Sequence, residues 1–180
     1  MPLPREFYSA GNLSVQTIKP IFFIFLGIIG ALIILLGFKQ PPTAAQIYYV
    51  AGASLLLTTA VYFKLTYYIA LELILLAGHG AILLGIGPVL QASLPIMLSL
   101  QLLVYYLLSG ELRIFRLIGI TGIALLSIGF SYADPWIFFF GSLSIAVFAM
   151  YNVYQGRHIA LLWAILNLVF TFGTAFKIIF

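Results

Sequence analysis

Glu72 and His79 are the two side chains in this sequence best placed to do chemistry. Glu72 is the only acid inside an apolar segment long enough to cross a bilayer. An acid at the centre of a membrane helix costs about 2.5–3.5 kcal/mol on insertion scales, so its presence there calls for a reason. His79 follows seven residues later, which on an α-helix puts it within about 20° of the same face and about 10 Å further along the axis. That separation is too long for a direct hydrogen bond but suits two stations on a water-filled track, binding a cationic group or passing protons. The structural role open to the same residues is helix joining, with Glu72 as a protonated donor and His79, between Gly78 and Gly80, at a close helix contact.

Two further stripes carry polar groups. Trp163, Asn167 and Thr171 recur every four residues and so share one slowly drifting face of a helix. Asn167 fits either a substrate-contacting surface or a hydrogen bond to a neighbouring helix, while Trp163 on its own suggests packing or an interface position. Gln101, Tyr105 and Ser109 form a similar stripe, for which helix packing is the expectation and substrate contact through Gln101 the sharper alternative.

These residues need a membrane-embedded scaffold. The chain has 180 residues, 64% hydrophobic and 7% charged, against about 25% charged in an ordinary soluble domain. With no cysteine and two histidines it offers no disulfide and no plausible metal site, and no cofactor motif is present. Its eight basic residues are scattered between apolar segments rather than clustered, which fits topology signals and excludes a nucleic-acid surface. Gly27-Ile28-Ile29-Gly30 and Gly119-Ile120-Thr121-Gly122 lie inside apolar spans and are packing glycines, not phosphate loops. No catalytic constellation can be assembled: Glu111, Asp134 and His158 are too few and too dispersed for an enzyme.

Breaks at charged, proline or glycine-rich points divide the chain into apolar segments at 20–38, 44–63, 66–85, 92–110, 114–130, 135–153 and 158–177. Each is uniformly apolar, without the alternation of a barrel strand, so the fold class is an all-α membrane protein with seven transmembrane helices. Residues 1–19 form a polar N-terminal segment. An odd number of spans puts Arg5, Lys19, Lys64, Arg113, Arg116 and Arg157 on one side and Lys39 and Lys177 on the other. The basic side is cytoplasmic by the usual bias, giving a cytoplasmic N-terminus, an outside C-terminus and an inner- or cell-membrane location. The Asn12-Leu13-Ser14 sequon would then stay unmodified. Tyrosines such as Tyr48, Tyr49, Tyr67, Tyr68, Tyr105 and Tyr106 lie near span ends, where an interfacial belt is expected.

An internal repeat organises the spans. Gly27, Gly30, Gly37 and Phe38 recur as Gly119, Gly122, Gly129 and Phe130, and each set is followed by Pro42 or Pro135, Gly52 or Gly141, and Tyr62 or Tyr154. The third spans open with Ile69-Ala70-Leu71 and Ile159-Ala160-Leu161. Three spans per unit is an odd number, so two parallel copies need one extra helix between them. The spacing predicts a first three-helix bundle at 20–85, a linker helix at 92–110 and a second bundle at 114–180.

A 3+1+3 chain of this size resembles the SWEET, PQ-loop and PnuC transporters, and its compact form is similar to the small YgjV-type inner-membrane proteins. The resemblance rests on the span pattern. Pro-Gln at a helix kink is absent, and Pro20, Pro41, Pro42 and Pro135 fall at predicted span ends. In a SWEET-like bundle Asn167 stands where a substrate-facing asparagine is expected, while its counterpart in the third span is apolar, Ile74 or Leu75. The resemblance implies a small-solute transporter or facilitator working by alternating access, and the polar residues read from the sequence, Glu72, His79, Asn167, Trp163 and Gln101, are expected toward its path. The partners expected are the lipid bilayer, a small-molecule solute and either a homo-oligomer or a membrane complex. The alternative is a non-catalytic membrane subunit or scaffold whose polar residues only join helices.

Overall fold

The computed structural model describes residues 10–180, with side chains from Ile18 onward. Arg5 and Glu6, and the side chains of the Asn12-Leu13-Ser14 sequon, lie outside the described residues. Seven α-helices follow one another: α1 Ala10–Gly37, α2 Pro42–Tyr62, α3 Thr66–Leu83, α4 Pro88–Leu108, α5 Ile114–Tyr132, α6 Pro135–Tyr154 and α7 Leu161–Ile179. A short 3₁₀ turn, His158–Ala160, leads into α7. All seven contain a stretch long and apolar enough to cross a membrane, and in hydrocarbon a helix is the one open structure that satisfies its own backbone. The chain is an integral membrane protein by that architecture.

Local chemistry sets the boundaries. Pro42, Pro88 and Pro135 open α2, α4 and α6 at the first helical position, where the missing N–H costs nothing. Asp134 adds a cap to α6, its carboxylate accepting from the backbone N–H groups of Trp136 and Ile137 at 2.9 and 3.0 Å. Helices α2 to α6 all end on a left-handed residue: Lys64, Gly85, Gly110, Ala133 and Gly156. The next residue's N–H then reaches back to a carbonyl of the last turn, as from Leu65 to Ala60 and from Arg157 to Asn152, both at 2.9 Å. Lys64 at φ 54° and Ala133 at φ 52° hold this shape without glycine's freedom.

Two expectations shift. The fourth helix starts at Pro88 rather than residue 92, because proline at the first turn opens a helix instead of interrupting it. Pro20 lies inside α1, ten residues after its start, and Pro95 lies inside α4.

The helices form a ring in which each packs against the next in space: α1 on α2, α2 on α3, α3 on α5, α5 on α6, α6 on α7, and α7 on α1. α4 sits outside this ring, against α3 and α5. Exchanging α1, α2, α3 for α5, α6, α7 leaves the six ring pairings unchanged, and α4 covers one of the two junctions between the units. Each unit is a run of neighbours rather than a mutually packed triple, since neither α1 with α3 nor α5 with α7 is among its main pairings.

Glycine makes the tightest crossings. A Cβ on Gly30 would stand 2.8 Å from the Gly52 carbonyl oxygen, and one on Gly122 would stand 3.0 Å from that of Gly141. Backbone meets backbone at both places, which only glycine permits. Gly80 is different, because a Cβ there would meet nothing within 4 Å. Gly52→Ala and Gly141→Ala are each expected to cost about 1–3 kcal/mol through overpacking. Gly80→Ala should be neutral or slightly stabilising. Thermal unfolding of the purified variants in detergent checks this, and equal losses at all three positions would remove the distinction.

Candidate functional site

α3 and α7 face each other across the ring without extensive backbone packing, and long side chains bridge the gap. The Trp163 indole N–H donates to Glu72 Oε1 at 2.6 Å. Both residues are fully enclosed, at 0% and 1% exposure. Glu72 Oε2 has no partner, so the carboxyl is half satisfied. Trp163 in turn stacks on Tyr68, with ring centroids 4.3 Å apart.

His79 lies on the same face of α3, as the seven-residue spacing predicts, and is bonded through Nδ1 to Gln46 Oε1 of α2 at 2.7 Å. With the amide oxygen toward the ring, Nδ1 carries the proton. Tyr49 and Phe130 pack on the imidazole at centroid distances of 5.1 and 4.6 Å. Asn167 donates to the Trp163 carbonyl at 2.9 Å, one turn back along α7. Thr171 continues that stripe, donating to the Asn167 carbonyl and facing Ser142 Oγ of α6 at 3.0 Å.

Glu72, His79, Trp163 and Asn167 therefore line one enclosed cavity, together with Tyr49 and apolar side chains including Leu126 and Phe130. Its volume is about 20 Å³, enough for a single water molecule and far too small for an organic solute. The cavity is too small for the water-filled track expected between Glu72 and His79, and each group is held by a side chain of another helix.

Clefts open on both faces of the ring. On the face of the α2–α3, α4–α5 and α6–α7 turns, two adjoining polar clefts of about 400 and 430 Å³ share Glu111, Arg116, Phe148 and Arg157. On the opposite face a cleft of about 360 Å³ runs between the α1–α2 and α5–α6 turns, lined by Gln46, Tyr49, Phe130, Asp134 and Lys177 among others. Tyr49 and Phe130 line this cleft and the central cavity alike. A single aromatic layer thus separates the cavity from that side. Toward the basic face the barrier is thicker, formed by Tyr67, Tyr68, Phe148 and Trp163, whose rings contact one another in a chain.

Four of the five site residues singled out in the sequence converge. Gln101 does not: it is exposed on α4, the helix outside the ring, and is absent from the cavity lining. Its stripe with Tyr105, also exposed, follows the outer surface of α4. Trp163 is fully buried, as a packing residue would be and an interface residue would not, and its N–H donates to the buried acid. The interfacial belt is also corrected in part, since Tyr49, Tyr67, Tyr68 and Tyr106 are all buried. Tyr67 spends its hydroxyl on the Gly119 carbonyl at 2.8 Å, joining α3 to α5. Gln46 and Ser142 were not anticipated. Gln46 is the sole amide of α2, and that was the available signal. Among the described residues no group of three or more histidine or acidic side chains is placed to hold a metal.

No family model matches this chain, and neither the curated proteins nor the solved structures contain a significant match to it.

Proposed function

We propose that this protein moves a small solute across the bilayer by alternating access, with Glu72, His79, Asn167 and Trp163 at the midpoint of the path. One observation carries this: Glu72, the one acid within the described spans and with a free carboxyl oxygen, lines a small, mostly apolar cavity with His79 and Asn167, between clefts on opposite faces. The closed cavity corresponds to an occluded state. Opening requires the Tyr49 and Phe130 layer to part on one side, or the Tyr68 and Trp163 stack on the other. The exchange symmetry of the ring pairings supports two parallel three-helix repeats joined by α4, which would rock against each other at the α3–α5 and α1–α7 junctions. The rival is a non-catalytic subunit or scaffold, favoured by the small cavity volume and by the helix-to-helix hydrogen bonds of Glu72 to Trp163 and His79 to Gln46.

The chain has no native cysteine, so single-cysteine labelling separates the two. Ala53 lines the cavity at 1% exposure, while Ala149 is equally buried at 0% and lines none of the clefts. Alternating access predicts that Ala53→Cys reacts with a membrane-impermeant thiol reagent from either face and that Ala149→Cys stays inert. Equal inertness of both would favour the scaffold.

Glu72 gives a second test. Glu72→Gln keeps a group that can accept from Trp163 but removes the titratable proton, so it should leave thermal stability near the parent. It should abolish pH-dependent, solute-driven proton movement in proteoliposomes between about pH 5.5 and 8. Glu72→Leu strands the Trp163 N–H in the core, at a cost of about 1–3 kcal/mol. Unchanged proton movement in the glutamine variant, with stability lost only in the leucine variant, would make the residue structural.

We further propose that the face bearing Lys64, Arg113, Arg116 and Arg157 is cytoplasmic. A reporter fused after Phe180 should then be exposed outside and one at Met1 inside. Finding both on one side would contradict the seven-span topology.

A further inference from the structure

We propose that the twin clefts on the basic face form a binding site for a phosphate group, carried by a soluble metabolite or by a lipid headgroup. The site goes beyond the transport path: it lies on the other side of the Tyr68 and Trp163 stack, and its occupancy does not depend on whether the central cavity opens.

Four cations from three separate turns converge on these clefts. Lys64 comes from the α2–α3 turn, Arg113 and Arg116 from the start of α5, and Arg157 from the α6–α7 turn. Arg116 and Arg157 line both clefts, Arg113 one and Lys64 the other. Two of the four are held by backbone shape: Lys64 in the left-handed region at φ 54°, and Arg157 by its N–H bond to the Asn152 carbonyl at 2.9 Å. Arg116 bonds Glu111 at 2.9 Å and lies over the Tyr106 ring at 4.3 Å, leaving its side chain only 19% exposed. Lys64, Arg113 and Arg157 have no acidic partner among the described residues. One acid among four bases leaves a net charge of about +3 facing a concave surface, and such a cleft between low-dielectric walls concentrates its field on an incoming anion.

Orientation bias alone does not produce this arrangement. Cations that only report topology lie around the rim and reach outward to lipid, whereas Arg116 folds back over a ring that is itself 3% exposed. The floor is polar and built, too. Tyr67, Tyr106 and Asn152 are nine-tenths or more buried and line the clefts. Asn152 donates its side-chain N–H to the Phe148 carbonyl at 2.9 Å. Behind this floor the Tyr68 hydroxyl is buried, with Asn152 and Arg157 beside it.

The charge and the guanidinium forks identify the ligand chemistry. Planar arginine pairs bind tetrahedral oxyanions through parallel N–H bonds, and several of them around one cleft favour a group with more than one negative charge. A single carboxylate would leave most of this charge unanswered. The combined space, about 400 and 430 Å³ in adjoining clefts, admits a small phosphorylated metabolite or the exposed headgroup of one phospholipid.

Calorimetric titration of the full-length protein in maltoside micelles, which carry no phosphate, provides the test, with pyrophosphate as the soluble probe. Saturable binding is expected, weakened at least tenfold in Arg157→Gln and Arg116→Gln and unchanged in Lys39→Gln and Lys177→Gln on the opposite face. Arg157→Lys, which keeps the charge but loses the fork, should bind with intermediate affinity and shows that loss in the glutamine variant is not a folding defect. A second arm adds phosphatidylglycerol to the same micelles. Competition by the lipid, with bound lipid detected by native mass spectrometry and lost in Arg157→Gln, assigns the site to a headgroup; pyrophosphate binding that the lipid leaves unaltered assigns it to a soluble solute. Absence of saturable binding in both arms would overturn the proposal, as would equal weakening by Lys39→Gln and Lys177→Gln.

Discussion

Two backbone crossings, Gly30 over Gly52 and Gly122 over Gly141, set the geometry on which the rest of the ring depends. Lipid tails are as apolar as leucine, so no hydrophobic force pulls these helices together; close van der Waals contact has to do it, and glycine is what permits that contact. With α1 drawn onto α2 and α5 onto α6, the third helix of each unit is placed facing the centre. Only then do Glu72 and Trp163 reach across and meet. A side chain at either crossing would separate the first two helices and move the bridge out of range. The polar chemistry of the centre therefore rests on four residues that have no side chains at all.

Much of the architecture was legible in the sequence because the bilayer imposes it. Span length, helix type and most boundaries follow from hydrocarbon thickness, first-turn prolines and left-handed helix ends. Glu72 and His79 could be paired because they share one helix, and periodicity within a helix is reliable. Trp163 was harder, since nothing in its own surroundings shows that a carboxyl 91 residues earlier waits for its N–H. Gln46, Tyr49 and Gln101 illustrate the main obscurity. A membrane helix that is apolar all round does not announce which side faces its neighbours, so a buried amide and an exposed one look alike until the helices are assembled. The tyrosines were ambiguous for a related reason, because the same ring suits an interface or a buried hydroxyl bonded to a neighbouring carbonyl, as in Tyr67.

The two sides of the central cavity are unlike. Toward the face of Asp134 and Lys177 it is closed by side chains that line the cleft as well, chiefly Tyr49 and Phe130, with His79 behind them and its partner Gln46 on the cleft wall. Toward the basic face the closure is a longer aromatic chain locked by hydrogen bonds at both ends, Tyr67 to Gly119 and Trp163 to Glu72. Separating flat rings that make no hydrogen bond to each other costs dispersion contact alone. Opening the other side also breaks bonds to a buried carboxyl and a backbone carbonyl, so the two closures differ in cost although the six ring pairings are symmetric.

The long sequence separation of Glu72 and Trp163 has a consequence for how the protein is made. At a synthesis rate of about 5–20 residues per second, the 91 residues between them take roughly 5–20 s to appear. During that interval α3 has entered the membrane and none of the helices made so far supplies a hydrogen bond to its acid. The seventh helix, made well after the third, carries the group that completes the first unit's buried site. A chain that stops short of Trp163 leaves an unanswered acid in hydrocarbon, so an incomplete product is physically distinguishable from a finished one while both are still in the membrane.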